Sequence, residues 1–157
     1  MEYTHILNSL PSGKKGVTTL PVKFLETDHI NTVSQPHFPF NLVSEKLVEN
    51  LDLKIHPTFS KEVYSDFTKT IVLSNMVVLT PIFKMGSEYL ALSDTFYVVS
   101  QSRVPGGNIL FGSPYSRYGM SFTPAGVYLS PEACKPYLID EKTLGHITKF
   151  RARMMRC

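Results

Sequence analysis

Apolar and polar residues alternate along much of this chain, and the alternation predicts short strands. The segment "TTLPVKFLE" (18–26) places Leu20 and Phe24 on one face, and "HFPFNL" (37–42) alternates in the same way. Successive side chains of a strand point to opposite faces of a sheet, so a period of two indicates a half-buried strand. We therefore predict a strand in each segment.

The central third of the chain has the strongest strand pattern. Three apolar runs follow one another: "DFTKTIVLS" (66–74), "MVVLTPIF" (76–83) and "EYLALSDTFYVVS" (88–100). The pairs Ser74-Asn75 and Gly86-Ser87, which lie between these runs, consist of residue types that favour tight hairpin turns. We predict an antiparallel meander over residues 67–100.

A helical pattern occurs in two places. In "SEKLVENL" (44–51), Ser44 is a good N-cap and the apolar residues lie on one side, which predicts a short helix near 44–51. In "DEKTLGHITKFRARMMR" (140–156), Asp140 is the N-cap and apolar residues recur at helical spacing, which predicts a helix near 141–155. The fold class is therefore α+β, mainly antiparallel β-sheet. A chain of 157 residues suits a single domain, 1–157, with residues 1–16 as an N-terminal arm.

Charge is distributed unevenly along the chain. The net charge is only +3, from 16 basic and 13 acidic residues. Five of the basic residues fall in the last sixteen positions, which contain no acid: Lys142, Lys149, Arg151, Arg153 and Arg156. The rest of the chain keeps eleven basic residues against thirteen acidic ones. A basic amphipathic helix suits an anionic membrane surface or the phosphates of RNA or DNA, and a solvated cationic face is the alternative.

The stretch "RVPGGNILFGSPYSRYG" (103–119) holds four of the nine glycines. Gly107 and Gly112 have the spacing of a phosphate-binding loop, but no lysine follows and Pro114 removes a backbone donor, so this chemistry is excluded. Cations beside aromatic rings favour a nucleic-acid site over 103–122, with four candidate residues: Arg103, Tyr115, Arg117 and Tyr118. The alternative is a strand connection whose aromatic rings pack on the sheet.

Residues 104–131 carry a single charge, that of Arg117. A long segment that is rich in Tyr, Phe, Pro and Gly and nearly free of charge is either buried or part of a subunit interface, where charge is depleted. The interface interpretation predicts that the chain binds itself and forms a homo-oligomer.

Catalytic patterns are weak throughout. Glu26, Asp28, His29 and His37 share a polar loop but match no metal-ligand template, and no histidine lies near Cys134, whose place in a capped helical turn could lower its pKa. We therefore assign no catalytic residue, no metal ligand and no cofactor. The two cysteines indicate reduced thiols, and no signal-peptide pattern is present, which favours an intracellular protein, cytoplasmic or nuclear.

Two stretches carry a resemblance to a known family. "FPFNLVSEKL" (38–47) and "FKMGSEYLALSDTFYVV" (83–99) resemble, in their apolar pattern, the central sheet of small matrix proteins of non-segmented negative-strand RNA viruses, the bornavirus type in particular. The resemblance implies a small β-rich viral protein that oligomerises, coats the inner face of a membrane, can bind RNA and is found in the virion.

The sequence as a whole favours a non-enzymatic, matrix-like assembly or scaffold protein. It would self-associate and bind an anionic membrane surface or RNA through its basic C-terminal helix. A nucleic-acid-binding module built on 103–122 is the first alternative. A small enzyme whose site is assembled only in space, from scattered histidines and carboxylates, is the second.

Overall fold

The computed structural model of the chain describes residues 3–5, 10–11, 18–34, 38–65, 69–104, 107–123 and 126–156. The strands are β1 (Tyr3–His5), β2 (Leu10–Pro11), β3 (Thr18–Phe24), β4 (Ile30–Ser34), β5 (Leu42–Ser44), β6 (His56–Ser65), β7 (Lys69–Leu79), β8 (Pro81–Met85), β9 (Glu88–Ala91), β10 (Asp94–Val99), β11 (Ile109–Phe111), β12 (Met120–Thr123), β13 (Gly126–Leu129) and β14 (Leu138–Ile139). The helices are α1 (Glu45–Asn50), α2 (Pro131–Cys134) and α3 (Glu141–Arg156), with 3-10 helices at Gln101–Arg103, Ser113–Tyr118 and Lys135–Tyr137. The protein combines helices with a larger share of strands, as the sequence predicts.

Most of the strands belong to one large sheet. Its order is β14-β9-β8-β3-β4-β11-β5-β10-β7-β6, with β2 paired to β3, and a smaller sheet has the order β1-β13-β12. Most neighbouring strands are antiparallel, but β10 runs parallel to β5, and β11 runs parallel to β4. The sheet is therefore mainly antiparallel, as the sequence pattern predicts, but it is mixed at its centre.

The predicted meander over 67–100 is not continuous. No hairpin forms at Ser74-Asn75; β7 runs straight through this pair and is held on both sides, by β6 and by β10. Pairing on two sides outweighs the local turn preference of the two residues. β7 ends before Thr80, and the next strand, β8, pairs with β3 and β9 instead of with β7. The predicted turn at Gly86-Ser87 is correct, since Gly86 has φ 65° and joins β8 to β9.

The central strands are buried on both faces. Val43, Ile109 and Phe111 belong to one hydrophobic cluster, whereas the alternate positions Leu42 and Leu110 belong to a second cluster on the other side. Burial on both faces is usual where parallel strands lie inside a sheet. The 3-10 helix Ser113–Tyr118 and the helices α1 and α2 supply side chains to the first cluster.

The predicted ends of the short helix α1 are close to those observed. The hydroxyl of Ser44 accepts a hydrogen bond from the backbone N–H of Leu47 at 3.2 Å, so Ser44 is the N-cap as predicted. In the predicted N-terminal arm 1–16, the described residues are strands: β1 pairs with β13 and β2 pairs with β3. The remainder of the arm lies outside the described residues.

Candidate functional site

The helix α3 begins at a well-formed cap. The side-chain Oδ1 of Asp140 accepts a hydrogen bond from the backbone N–H of Thr143 at 2.7 Å, which confirms Asp140 as the N-cap. Hydrogen bonds from the side chain and the backbone of Thr143 lower the pKa of the Asp140 carboxyl, because they favour its ionised form. The sequence therefore identifies the residue that caps the start of the helix, Asp140.

Most of the described surface of α3 faces solvent. Between 141 and 150 only Leu144, Gly145 and Ile147 are partly buried, and the helix contacts the sheet at β9. Lys142 and Lys149 are exposed, and the ring of Phe150 is 63% exposed. Three predicted cations remain: Arg151, Arg153 and Arg156. Their backbone belongs to the same helix, and their side chains fall outside the described part of the chain. The helix thus presents both charge and an apolar ring to solvent.

The two tyrosines predicted to bind a nucleic acid lie in the core. Tyr115 is 1% exposed and Tyr118 is 5% exposed. The ring of Tyr115 packs edge-on against Phe111, with the ring centres 4.9 Å apart, and its hydroxyl donates a hydrogen bond to the carbonyl of Leu92 at 2.9 Å. Burial raises the pKa of Tyr115 well above its usual value. As placed, neither ring offers a face to a base, so packing on the sheet is the arrangement observed.

Arg117 is exposed but its charge is paired. Its guanidinium is 2.7 Å from the Oδ2 of Asp94 and donates a second hydrogen bond of 2.7 Å to the hydroxyl of Tyr118. It also lies over the Tyr118 ring, with 4.8 Å between the guanidinium carbon and the ring centre. The hydrogen bond to Tyr118 is the main cause that raises the pKa of Arg117. Asp94 gives no sign of this role in the sequence, because the two residues meet only through the fold.

Arg103 lies in another part of the molecule. It is exposed at the end of the 3-10 helix Gln101–Arg103 and lines an open cavity of about 360 Å³ together with Glu45 and residues of β7 and β10, including Val72. The structure therefore brings Tyr115, Arg117 and Tyr118 together, but as one packed and paired group with two buried rings.

Burial accounts for the lack of charge in part of the segment 104–131. Val104, Ile109, Leu110 and Phe111 are buried, as is the backbone of Gly112. A Cβ added at Gly112 would lie 2.1 Å from the carbonyl oxygen of Phe40, so this glycine is needed for a close approach of two backbones. The same approach lets the N–H of Ser113 donate to the carbonyl of Phe38 at 2.8 Å. In the described part of the segment, the buried residues are uncharged because they belong to the core.

Candidate catalytic groups stay dispersed in the described part of the chain. Glu26 is buried and accepts a hydrogen bond from the N–H of Thr80 at 2.8 Å, whereas Asp28 and His29 are exposed. Among the described residues, no three His, Cys, Asp or Glu side chains are placed to hold one metal ion. His37, the fourth residue of the proposed loop, lies outside the described residues.

The thiol of Cys134 is not activated by its position. It is buried and lies 3.1 Å from the backbone carbonyl of Tyr118, to which the S–H donates. Burial raises its pKa, so the lowered pKa that the helical turn suggests is wrong. A short helix end supplies less stabilisation to a thiolate than burial removes.

A groove that sequence reasoning missed lies beside the start of α3. It has a volume of about 510 Å³ and is lined by residues of β9, α2, β14 and the 3-10 helix Lys135–Tyr137: Glu88, Pro131, Glu132, Lys135 and Leu138. Glu88 and Glu132 are distant in sequence, and only the pairing of β14 with β9 brings their segments together. No spacing rule connects them, so the sequence contains no signal for this groove.

No protein-family model matches the chain, and no curated protein matches it. Within the described residues, none of the helices has the length and apolar content needed to cross a bilayer.

Proposed function

We propose that this chain is a non-enzymatic, matrix-like assembly protein that self-associates and binds an anionic membrane surface through α3. The observation that carries the proposal is the exposure of α3. Lys142, Lys149 and Phe150 are all exposed, and three further arginines follow on the same helix. Each Lys or Arg near an anionic membrane contributes about 1 kcal/mol, so five cations contribute about 5 kcal/mol at low salt.

Phe150 favours a membrane over a nucleic acid as the anionic partner. The phosphates of duplex RNA attract the cations of α3 equally well, but the bases of a duplex are stacked inside it and do not pack on an exposed ring. At a bilayer the ring enters the boundary between headgroups and acyl chains, and burying it contributes roughly 1.5–3 kcal/mol. The alternative site at 103–122 has less support, because Tyr115 and Tyr118 are buried and Arg117 is paired with Asp94.

Sedimentation with lipid vesicles tests the proposal. The full chain is mixed with vesicles of phosphatidylcholine alone or with added phosphatidylserine, at low and at high salt. We expect binding only to the anionic vesicles, and weaker binding at high salt because ions screen the charges. Lys149→Glu with Arg153→Glu should abolish binding. Lys46→Glu with Lys54→Glu changes the net charge equally at exposed sites elsewhere and should reduce binding far less.

A second variant separates the membrane from RNA. Phe150→Ala should weaken vesicle binding by about tenfold, the equivalent of roughly 1.4 kcal/mol of lost burial. The same variant should leave the affinity for double-stranded RNA unchanged, because bases that are stacked in a duplex do not pack on the ring. If Phe150→Ala binds vesicles as well as the wild type while charge reversal abolishes RNA binding, the membrane proposal is wrong and the nucleic-acid alternative replaces it.

A further inference from the structure

The groove beside α3 is lined by both acidic and apolar residues. Glu88 and Glu132 are exposed, whereas Pro131 and Leu138 are partly buried. Lys135 supplies one positive charge, which leaves a net charge of −1 among the lining residues. A volume of about 510 Å³ lies within the range of sites that enclose a sizeable ligand group. Such a groove suits a segment that carries both apolar and cationic side chains.

The chain itself contains a segment of that kind. On α3, Phe150 is 63% exposed although the ring is apolar, and Lys149 beside it is exposed. Three arginines follow on the last two turns of the helix, Arg151, Arg153 and Arg156. The whole chain also separates basic from acidic residues: its last sixteen residues carry five cations, and the rest has more acids than bases. The acidic groove and the basic helix are therefore complementary.

The helix of a chain does not fill the groove of the same chain. The groove includes Leu138, and α3 starts three residues later, at Glu141. A straight α-helix rises about 1.5 Å per residue, so Arg151 and Arg156 lie roughly 15 and 22 Å from Glu141 along the axis. Phe150 is exposed, and the described residues that line the groove include none of α3, so this half of the helix lies outside the groove of its own chain. The groove of another copy is therefore open to it.

We propose that the C-terminal half of α3 of one copy docks in the groove between β9 and α2 of a second copy. Phe150 would cover Leu138 and Pro131, and the cations would pair with Glu88 and Glu132. The inference rests on the proposed self-association and names its surfaces. The two contacting patches are different, so the contact is head-to-tail, and repetition of such a contact gives a ring or a filament. The chain can thus add copies without a second type of interface.

Charge reversal on each side tests the contact. Glu88→Lys with Glu132→Lys reverses the groove, and Lys149→Glu with Arg153→Glu reverses the helix. Molar mass is measured by size-exclusion chromatography with light scattering, at low and at high salt. We expect each double variant to raise the apparent dissociation constant of self-association by about tenfold or more, because like charges then face each other. Glu45→Lys with Glu49→Lys is the charge-matched control at exposed positions on α1.

Recombining the variants makes the test specific. Mixing the groove-reversed chain with the helix-reversed chain restores opposite charges at every contact, so the molar mass of the wild type should return. A single chain carrying all four substitutions should also assemble. The inference is overturned if the groove variant keeps the wild-type mass, if the control loses mass equally, if mixing restores nothing, or if the wild type is a monomer at every concentration. Circular dichroism confirms that each variant is folded.

Vesicle binding distinguishes failure of this contact from failure of the membrane proposal. Docking and vesicle binding use the same residues of α3, and the groove variant leaves them free, so it should sediment with anionic vesicles at least as strongly as the wild type does. Loss of assembly with intact vesicle binding supports the docking contact. Assembly that responds to the variants in a protein that ignores vesicles overturns membrane binding alone.

Discussion

Replacing Tyr115 by Phe removes one hydroxyl from the core and leaves the ring in place. That hydroxyl donates to the carbonyl of Leu92 at 2.9 Å in a position where Tyr115 is 1% exposed. The variant therefore loses a buried hydrogen bond and leaves a carbonyl without this donor, at a cost of about 1–2 kcal/mol. For a chain of this length, about 1 kcal/mol shifts the melting temperature by roughly 2–4 °C, so we expect Tyr115→Phe to melt about 2–8 °C lower.

Thermal unfolding followed by circular dichroism measures the loss. Tyr137→Phe is the matched control, because Tyr137 is 46% exposed and a surface change of this kind stays within about 0.5 kcal/mol. The variant also tests the core assignment of Tyr115. Phe keeps a ring that can stack on a base, so we expect lower stability with unchanged affinity for RNA. Unchanged stability would refute the core assignment.

The same residue predicts how stability changes at alkaline pH. Burial is the largest cause that raises the pKa of Tyr115 above its usual value of 10.0. The folded state holds the proton more tightly than the unfolded state, so the stabilisation is complete below about pH 10 and is lost as the pH rises above that value. Tyr115→Phe has no proton to lose. Its stability should therefore fall less steeply than that of the wild type above this pH.

Two further predictions concern Gly112 and Asp140. Gly112→Ala should destabilise the protein by about 3 kcal/mol or more in denaturant unfolding, because the added Cβ would meet the carbonyl of Phe40. Gly145→Ala is the control: its added Cβ has nothing within 4 Å, so it should strengthen α3 by about 1 kcal/mol. Equal effects of the two substitutions would contradict the packing argument. The pKa of Asp140 is lowered by hydrogen bonds from Thr143, so its stabilisation of α3 is present above the ordinary value of 3.8 and is lost as the pH falls through the lower folded value. The helical circular dichroism signal should therefore fall in this acidic range. Asp140→Ala should show no such fall in acid and should have a lower helical signal at neutral pH. An identical acid titration in the variant would show that the cap is not the cause.

Local features of the fold could be predicted because their causes are local. Ser44 and Asp140 are N-caps because their side chains accept hydrogen bonds from backbone N–H groups three residues ahead. Each cap and its partner are close together in the sequence, so the sequence is enough to predict them. The turn at Gly86 is predictable for the same reason, because it requires a residue that tolerates a positive φ. The pairing of β7 was not predictable in this way. It depends on β6 and β10, whose contacts with β7 outweigh the turn preference of Ser74-Asn75.

In the candidate site, too, some features follow from the sequence alone and others only from the fold. The sequence alone determined that a capped, basic helix ends the chain and that residues 104–131 avoid charge, because composition and spacing carry both facts. Only the tertiary structure decided that Ile109–Phe111 of this uncharged segment belong to the core, that Tyr115 is enclosed and that Arg117 is paired with Asp94. It also created the groove between Glu88 and Glu132. Charge and periodicity are properties of neighbouring residues, whereas burial and pairing arise when distant segments meet, so only the fold could separate a binding surface from a packed interior.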